Sequence, residues 1–310
     1  MKLSIVTTLY YSENFIKEFY KRISASAKKI TNDYEIIIVN DGSPDNSLEI
    51  AIDLYKSDPK VTVVNLSRNF GHHKAMMTGL SYAKGEYIFL IDIDLEEEPE
   101  LLETFYTDLT TAEDVDVIYG VQKKRKGGWV EKITGEFFYK VYNKLTSVSV
   151  PKNLITARLM KLKYVKSLLE YEEQEIFLAG IWSHTGYNQK AKYVVKHSHS
   201  KTTYSFRKKI SAMVNAITSF SVVPLRMIFI FGSAVTFFSC LYIVYIIFRK
   251  LFFNITIDGW TSLMASVWLF GGMIIFFIGV IGIYLSKIFI ETKKRPYTLV
   301  KNLYKQNHNR

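Results

Sequence analysis

The chain has 310 residues and a formal net charge of +11, with a pI of about 9.3. This length suits one large soluble domain with a membrane region, and the basic charge favours nucleic acid, phosphorylated substrates or an anionic membrane face as partners. The single cysteine, Cys240, excludes a disulfide framework and a cysteine-based zinc site within one chain. No signal peptide is predicted, because residues 3–8 have the pattern of a strand.

The N-terminal part of the chain alternates short apolar runs with stretches of helical periodicity. The pattern predicts strands at 3–8, 34–39, 61–66, 86–91 and 115–121, and helices at 13–30, 45–57 and 72–83. This alternation indicates βαβ crossovers, an α/β fold and a parallel sheet whose ligand lies at the carboxyl ends of the strands. Four residues near those ends are therefore expected on one edge: Thr8, Asp41, Arg68 and Asp92.

The second half of the chain contains two long apolar runs. Residues 122–205 before them are mixed, with a basic stretch at 123–128 and helices predicted at 131–146 and 161–171. The two runs, at about 227–248 and 262–285, lack charged residues, and each exceeds the roughly 20 residues that cross a bilayer. They predict two transmembrane helices, with buried core helices as the alternative.

The charges that flank these runs predict their orientation. Lysine and arginine precede the first run and follow the second, which places both termini and the soluble domain in the cytoplasm of a multi-pass inner-membrane protein. The predicted organisation is a soluble domain over 1–204, an interfacial amphipathic helix over 205–225, and two transmembrane helices with a basic tail over 226–310. An ordinary packed helix is the alternative for 205–225. Membrane, and no nucleic acid, is the expected anionic partner.

Asp92-Ile93-Asp94 follows an apolar strand, where alternate side chains point the same way and both carboxylates can face one ligand. Hard cations such as Mg²⁺ or Mn²⁺ prefer these oxygen ligands and leave coordination positions for a diphosphate. Taken alone, the motif is also explained by a solvated acidic turn, because Glu96-Glu97-Glu98 follows it. Its position at the carboxyl edge of the sheet favours the ligand site.

Two further polar sites stand close to the predicted strand ends. Asp41 has the chemistry to accept hydrogen bonds from a nucleotide base, and Gly42 beside it allows close backbone approach. A helix-capping turn is the alternative. The adjacent His72 and His73 favour polar or phosphate contacts over zinc, because neighbouring residues do not share a helix face.

Ordered sequence blocks coincide with these sites. They are Thr7-Thr8-Leu9-Tyr10, Val39-Asn40-Asp41-Gly42-Ser43, Leu66-Ser67-Arg68-Asn69-Phe70-Gly71, Ala83-Lys84-Gly85-Glu86 and Asp92-Ile93-Asp94-Leu95. Together they resemble family 2 glycosyltransferases of the GT-A fold. Later blocks, among them Arg158-Leu159, Ser219–Leu225, Gly279–Leu285 and Arg295-Pro296, resemble a narrower group, the polyprenyl-phosphate glycosyltransferases. This group includes bactoprenol glucosyltransferases and dolichyl-phosphate mannose synthases.

The resemblance implies an inverting transfer of sugar from a nucleotide diphosphate sugar, with UDP as the expected nucleotide and GDP as the alternative, to a polyprenyl phosphate. The residues implied to bind the nucleotide sugar are Thr8, Tyr10, Asp41, Arg68 and Asp92. Those implied to hold Mg²⁺ or Mn²⁺ are Asp94, Asp92 and Glu96. Those implied to bind the acceptor phosphate are Arg125, Arg158 and Lys201, although Arg125 also fits a surface charge and Arg158 a structural ion pair. The residues implied to be catalytic are Asp92, Asp94, Arg158 and Glu173.

Three departures from the group's pattern leave the acceptor open. Thr156 stands where the group has Asp, His197 where it has Arg, and Glu97-Glu98-Pro99-Glu100 where it has Asp-Pro-Pro-Glu. A lipid phosphate is a ready nucleophile near neutral pH. A sugar hydroxyl of a lipid-linked saccharide instead needs a general base, and Glu173 or Glu175 could serve unless both belong to a solvated acidic face. A non-enzymatic nucleotide-sugar-binding scaffold is the third alternative, and the sequence leaves open whether the chain forms a homo-oligomer.

Overall fold

The computed structural model describes residues 1–122, 150–197, 214, 217–219, 221–253 and 259–306. Arg125, Lys201, the helix predicted at 131–146 and most of the segment 205–225 lie outside the described residues. The chain divides into two compact units. The first holds the described residues up to 197 and those from Arg295 onward, and the second holds those from 214 to Lys294.

The first unit is built on a sheet whose strand order is β7-β5-β6-β4-β1-β2-β3-β8. The described strands are β1 (Leu3–Leu9), β2 (Tyr34–Asn40), β3 (Val61–Leu66), β4 (Tyr87–Leu90), β5 (Val117–Gln122), β6 (Leu154–Lys161), β7 (Gln189–Val194) and β8 (Val300–Tyr304). The helices of this unit are α1 (Ile16–Ile30), α2 (Ser47–Ser57), α3 (His72–Tyr82), α4 (Leu101–Thr111), α5 (Leu162–Leu169) and α6 (Leu178–His184). The predicted strands and helices of the first 122 residues are confirmed, with ends that shift by a few residues.

The prediction of a wholly parallel sheet is wrong beyond its centre. Strands β1 to β4 pair in parallel as expected, but β6 is antiparallel to both β4 and β5, and β8 is antiparallel to β3. The sheet is therefore mixed. Apolar periodicity identifies a buried strand but carries no information about which neighbour it pairs with, so a strand inserted between β4 and β5 was not foreseeable from it.

The centre of the sheet is buried on both faces. Every residue of β1, β2 and β3 is buried, as expected for strands covered by helices on either side. Helix α3 packs against β1 and β2 and approaches them closely at Gly79. Because α3 begins at His72, this close packing also determines where the first turn of the helix lies relative to the strand ends.

The second unit contains helices α7 (Val223–Phe253) and α8 (Trp260–Thr292). Both predicted apolar runs are thus helical. Among the described residues, one helical segment, Ser266–Thr292, is long and apolar enough to cross a membrane, and Val223–Ser239 is a shorter apolar segment. The Tyr284 hydroxyl donates a hydrogen bond to the Ser221 carbonyl at 2.8 Å. The arrangement of two transmembrane helices stays a prediction.

The contact at Gly79 yields a test of the packing that positions α3. A Cβ at this position would lie 2.5 Å from Cγ1 of Val6 and 2.9 Å from Cγ2 of Val39, so the helix or both strands would have to shift. Gly79→Ala is expected to lower the free energy of unfolding by about 1–3 kcal/mol, measured by denaturant unfolding of the detergent-solubilised chain. The control Ser81→Ala, on the exposed side of α3, should stay within about 0.5 kcal/mol of the wild type. Equal stability of both variants would contradict the packing described.

Candidate active site

The ends of β1 and β4 are joined through the first residue of α3. The Thr8 hydroxyl lies 3.0 Å from Nδ1 of His72, and Nε2 of the same ring lies 3.1 Å from Oδ1 of Asp92. Thr8 and Asp92 are therefore brought together as predicted from the strand ends. His72, for which polar or phosphate contacts were predicted, supplies the link between them.

The Asp92 and His72 side chains stabilise each other's charged forms. Burial raises the pKa of Asp92, but the hydrogen bond and positive charge of His72 outweigh burial, and the pKa falls below its ordinary value. Burial likewise lowers the pKa of His72, and the hydrogen bond and charge of Asp92 reverse this effect and raise it. The pair lies at the carboxyl edge of the sheet, and Thr8 contacts the other nitrogen of the His72 ring.

Asp41 uses its carboxylate to hold the loop that leads into α3. Its Oδ1 accepts a hydrogen bond from the Phe70 amide at 2.7 Å, and its Oδ2 accepts one from the Gly71 amide at 3.0 Å. Burial raises the pKa of Asp41, and these two amides act against that rise. Gly42 has φ +64°, and a Cβ there would come within 2.5 Å of the Asn69 nitrogen, so this loop requires glycine.

Arg68 is exposed and lies over the Phe70 ring, 4.1 Å from its centroid, so the guanidinium remains at the surface of the same loop. Tyr10 is also exposed, at the end of β1. The structure therefore places Thr8, Asp41, Arg68 and Asp92 at one edge of the sheet, with Tyr10 following β1 there.

The donor set of the Asp92–Asp94 loop suits a hard divalent cation. Burial raises the pKa of Asp94, and the charge of Asp92 raises it further, so a bound cation would relieve a repulsion that the loop already contains. Oδ1 of Asp94 accepts a hydrogen bond from the Glu96 amide at 3.0 Å. In the described ranges no group of three or more His, Cys, Asp or Glu side chains is arranged around a common metal position. Two carboxylates with diphosphate oxygens remain a sufficient ligand set.

The third predicted metal ligand, Glu96, is engaged elsewhere. Its Oε2 lies 3.1 Å from Nζ of Lys196, which also lies 3.7 Å from Oε1 of Glu97. The residue after Lys196 makes two further contacts. Nε2 of His197 lies 2.8 Å from Oε1 of Glu98, and the His197 amide donates a hydrogen bond to the Glu96 carbonyl at 2.8 Å. We call these five residues the acid–base clasp. Glu96 would have to leave Lys196 to coordinate a cation.

Glu97 is the residue that sequence reasoning missed. Its side chain is 0% exposed, and its carboxylate accepts hydrogen bonds from the Thr156 amide at 3.1 Å and the Ala157 amide at 2.7 Å. Burial and the charge of Asp92 raise the pKa of Glu97 to about 8, and Lys196 and the two amides oppose that rise. The acidic run Glu96-Glu97-Glu98 is typical of a solvated turn, and no pattern within it marks the central residue as buried.

Arg158 lies inside the unit instead of at its surface. It is 1% exposed, its Nε donates to the Thr156 carbonyl at 3.3 Å, and its guanidinium lies against the Trp182 ring. Burial lowers the pKa of Arg158 to about 9. Because this guanidinium is buried, contact with an acceptor phosphate would require a rearrangement, and the predicted role of Arg158 stays a prediction.

A cavity of about 240 Å³ opens beside these residues. Its polar lining includes His72, His73, Thr156 and Lys196, and Trp182 separates it from Arg158. Apolar residues complete the wall: Met76, Val150, Leu154, Ile155, Phe177 and Ala179. The cavity thus combines an apolar wall with cationic groups next to Asp92, a combination typical of small-ligand sites.

Glu173 belongs to a segment that contacts α3 next to this cavity. Nδ1 of His73 lies 3.1 Å from the Ile176 carbonyl, and Nε2 of Gln174 donates to the Arg295 carbonyl at 2.6 Å. Glu173 itself is partly exposed. Its segment lies close to the candidate site, whereas Arg125 and Lys201 fall outside the described residues.

The acidic residues Asp41 and Asp92 lie at the carboxyl edge of the sheet, where the sequence predicted the ligand site. Residues 4–169 match the family model described as Glycosyl transferase family 2, which is more than half of the chain. The chain belongs to glycosyl transferase family 2.

Similar proteins extend over almost the whole chain. A protein of Mycobacterium tuberculosis (strain CDC 1551 / Oshkosh) named among putative glycosyltransferases is 48% identical over 304 residues, covering 98% of this chain and 89% of its own. The bactoprenol glucosyl transferase of Shigella phage SfV is 31% identical, covering 97% of this chain and 99% of its own. Among solved structures, a glucosyl-3-phosphoglycerate synthase of Mycobacterium tuberculosis is 17% identical, with a TM-score of 0.49 and coverage of 70% of this chain and 79% of its own.

The hydrogen bonds of Asp41 lead to a test of its structural role. In Asp41→Asn an NH₂ group would face one of the two backbone amides, so the free energy of unfolding is expected to fall by about 1–3 kcal/mol. Asp53→Asn, on an exposed ion pair of α2, serves as the matched control and should change stability by less than about 1 kcal/mol. Denaturant unfolding measures both. If Asp41→Asn is as stable as the control, Asp41 does not hold the loop.

Proposed function

We propose that this glycosyltransferase moves a sugar from a nucleotide diphosphate sugar to a polyprenyl phosphate at the cytoplasmic face of the inner membrane. The observation that carries the proposal is the match to bactoprenol glucosyl transferases over 97% or more of the chain, which extends beyond the sheet through the apolar helices. An enzyme anchored by such helices suits an acceptor whose phosphate lies at the bilayer surface.

On the donor side, Asp41, Arg68 and Tyr10 would contact the nucleotide, with Thr8 beside them. Asp94 and Asp92 would hold Mg²⁺ or Mn²⁺, which supplies charge neutralisation for the leaving diphosphate when bound. His72 holds Asp92 ionised and in place through the contacts described above. Burial and Asp92 raise the pKa of Asp94, so a bound cation would favour the ionised form that this ligand set requires.

On the acceptor side, a phosphate oxygen of the lipid would attack the anomeric carbon of the donor sugar. The bond between that carbon and the diphosphate breaks at the same time, and the configuration at the carbon inverts. The lipid phosphate needs no general base, because its second pKa is near 6. Lys196 is the lysine that lines the cavity within the described residues, and Arg125 and Lys201 are further candidates for the phosphate. Arg158 would act from behind Trp182 by fixing the cavity wall.

A sugar hydroxyl of a lipid-linked saccharide is the alternative acceptor. The hydrogen bond between His73 and the Ile176 carbonyl favours it, because it places the segment of Glu173 next to the cavity where a base would be needed. In this case Glu173→Gln would abolish transfer with donor binding intact. With a lipid-phosphate acceptor the same variant would stay active.

The decisive experiment incubates the purified full-length protein with Mn²⁺, a panel of nucleotide sugars and undecaprenyl phosphate, and detects the glycosylated lipid by mass spectrometry. Asp94→Asn is expected to lower the transfer rate by about 100-fold or more, because the metal contributes several kcal/mol to stabilising the transition state. Asp108→Asn, which removes a surface partner of Lys192, is the matched control and should retain activity. Wild-type rates in Asp94→Asn would contradict the metal role, and no lipid product from any donor would contradict the acceptor.

A further inference from the structure

The loop that carries Asp92 and Asp94 is fastened twice to one strand. Strand β4 ends at Leu90, which pairs with Arg158 of β6. Seven residues later, the Glu97 carboxylate binds the amides of Thr156 and Ala157, which directly precede Arg158 on the same strand. The intervening residues therefore form a short closed loop, with both carboxylates of the motif between two points of attachment.

This loop needs external support. Leu95, between Asp94 and Glu96, has φ +58°, a left-handed conformation that is unfavourable for a branched side chain and persists only where neighbouring contacts hold it. At the far end of the loop, the Glu97 side chain ties it to β6.

Besides the two attachments to β6, the acid–base clasp holds the loop through Lys196. Its ammonium group lies between Glu96 and Glu97, and the His197 amide binds the Glu96 carbonyl. A buried carboxylate costs free energy unless hydrogen bonds and an opposite charge compensate it, and Glu97 has both. In Glu97→Gln an NH₂ group would replace one acceptor oxygen, so one of the two β6 amides would lose its hydrogen-bond acceptor.

We propose that Glu97 is a positioning residue, which touches no substrate and sets the geometry of Asp92 and Asp94 by tying their loop to β6 and Lys196. The inference rests on the proposed function only in taking this loop as the nucleotide and metal site. It assigns a role to a residue outside the ligand set that the resemblance implies. Groups that orient metal ligands typically affect metal affinity or activity by about 10- to 100-fold.

The test measures the binding of UDP to the full-length protein by calorimetry at increasing Mn²⁺ concentrations. Glu97→Gln is expected to raise the Mn²⁺ concentration for half-maximal UDP binding by about 10-fold or more, with binding recovered at saturating Mn²⁺. Glu103→Gln, which changes a carboxylate of α4 that pairs with Lys29 outside the candidate site, should leave this concentration unchanged. A purely structural role would reduce the fraction of protein that binds without moving the Mn²⁺ dependence, and that result would overturn the proposal.

Two further variants keep the proposal testable if Glu97→Gln fails to fold. Glu97→Asp keeps a carboxyl group with both acceptor oxygens, so its Mn²⁺ dependence should lie closer to the wild type. Lys196→Met breaks the clasp from the cationic side and should shift the Mn²⁺ dependence in the same direction as Glu97→Gln. Wild-type dependence in Lys196→Met, together with no recovery in Glu97→Asp, would overturn the proposal. Because UDP binding requires no acceptor, failure of lipid glycosylation would contradict the proposed function and leave this result unaffected.

Discussion

The candidate site depends on one constraint. Burying a carboxylate at the carboxyl edge of the sheet costs free energy, and hydrogen bonds or an opposite charge must offset that cost. Asp41 meets this constraint with two backbone amides, Asp92 with His72, and Glu97 with two amides and Lys196. Each compensating group comes from a different part of the chain. Acidic residues therefore organise the loops around them, and the loops in turn place the acids.

Because of this constraint, the elements of the fold supply the groups that pair with the acidic residues of the site. The first turn of α3 supplies His72, and the loop before it supplies the amides for Asp41. Helix α3 can lie close to β1 and β2 because Gly79 has no side chain. Strand β6, inserted antiparallel beside β4, supplies the amides for Glu97 and also carries Thr156 into the cavity wall.

Much of the central sheet was predictable from sequence, since strands such as β2 and β3 are continuous apolar runs between turn residues. The meeting of Thr8 and Asp92 was also predictable, because parallel strands end at one edge. The position of β6 was not, because strand pairing after Gln122 depends on distant parts of the chain. The burial of Glu97 and Arg158 could not be predicted either. Both residue types are usually exposed, and the partners of these two are backbone groups and an aromatic ring.

The arrangement also changes which predicted roles are chemically reasonable. Glu96 is tied to Lys196, so Asp92 and Asp94 are the better candidates for the cation. Arg158 stacks on Trp182 of the cavity wall, and Lys196 lines the cavity together with His72. Under the proposed function Asp92 and Asp94 would bind the metal diphosphate, and Lys196 would have to leave Glu96 and Glu97 to bind a phosphate.

The most direct test of this account is a structure of the full-length protein with Mn²⁺ and UDP, in which anomalous scattering locates the metal. The account predicts Mn²⁺ bound to Asp94 and the diphosphate, with the uridine near Asp41 and Glu97 still bonded to the amides of β6. Mn²⁺ located away from the Asp92–Asp94 loop, with UDP bound at another surface of the sheet, would contradict it.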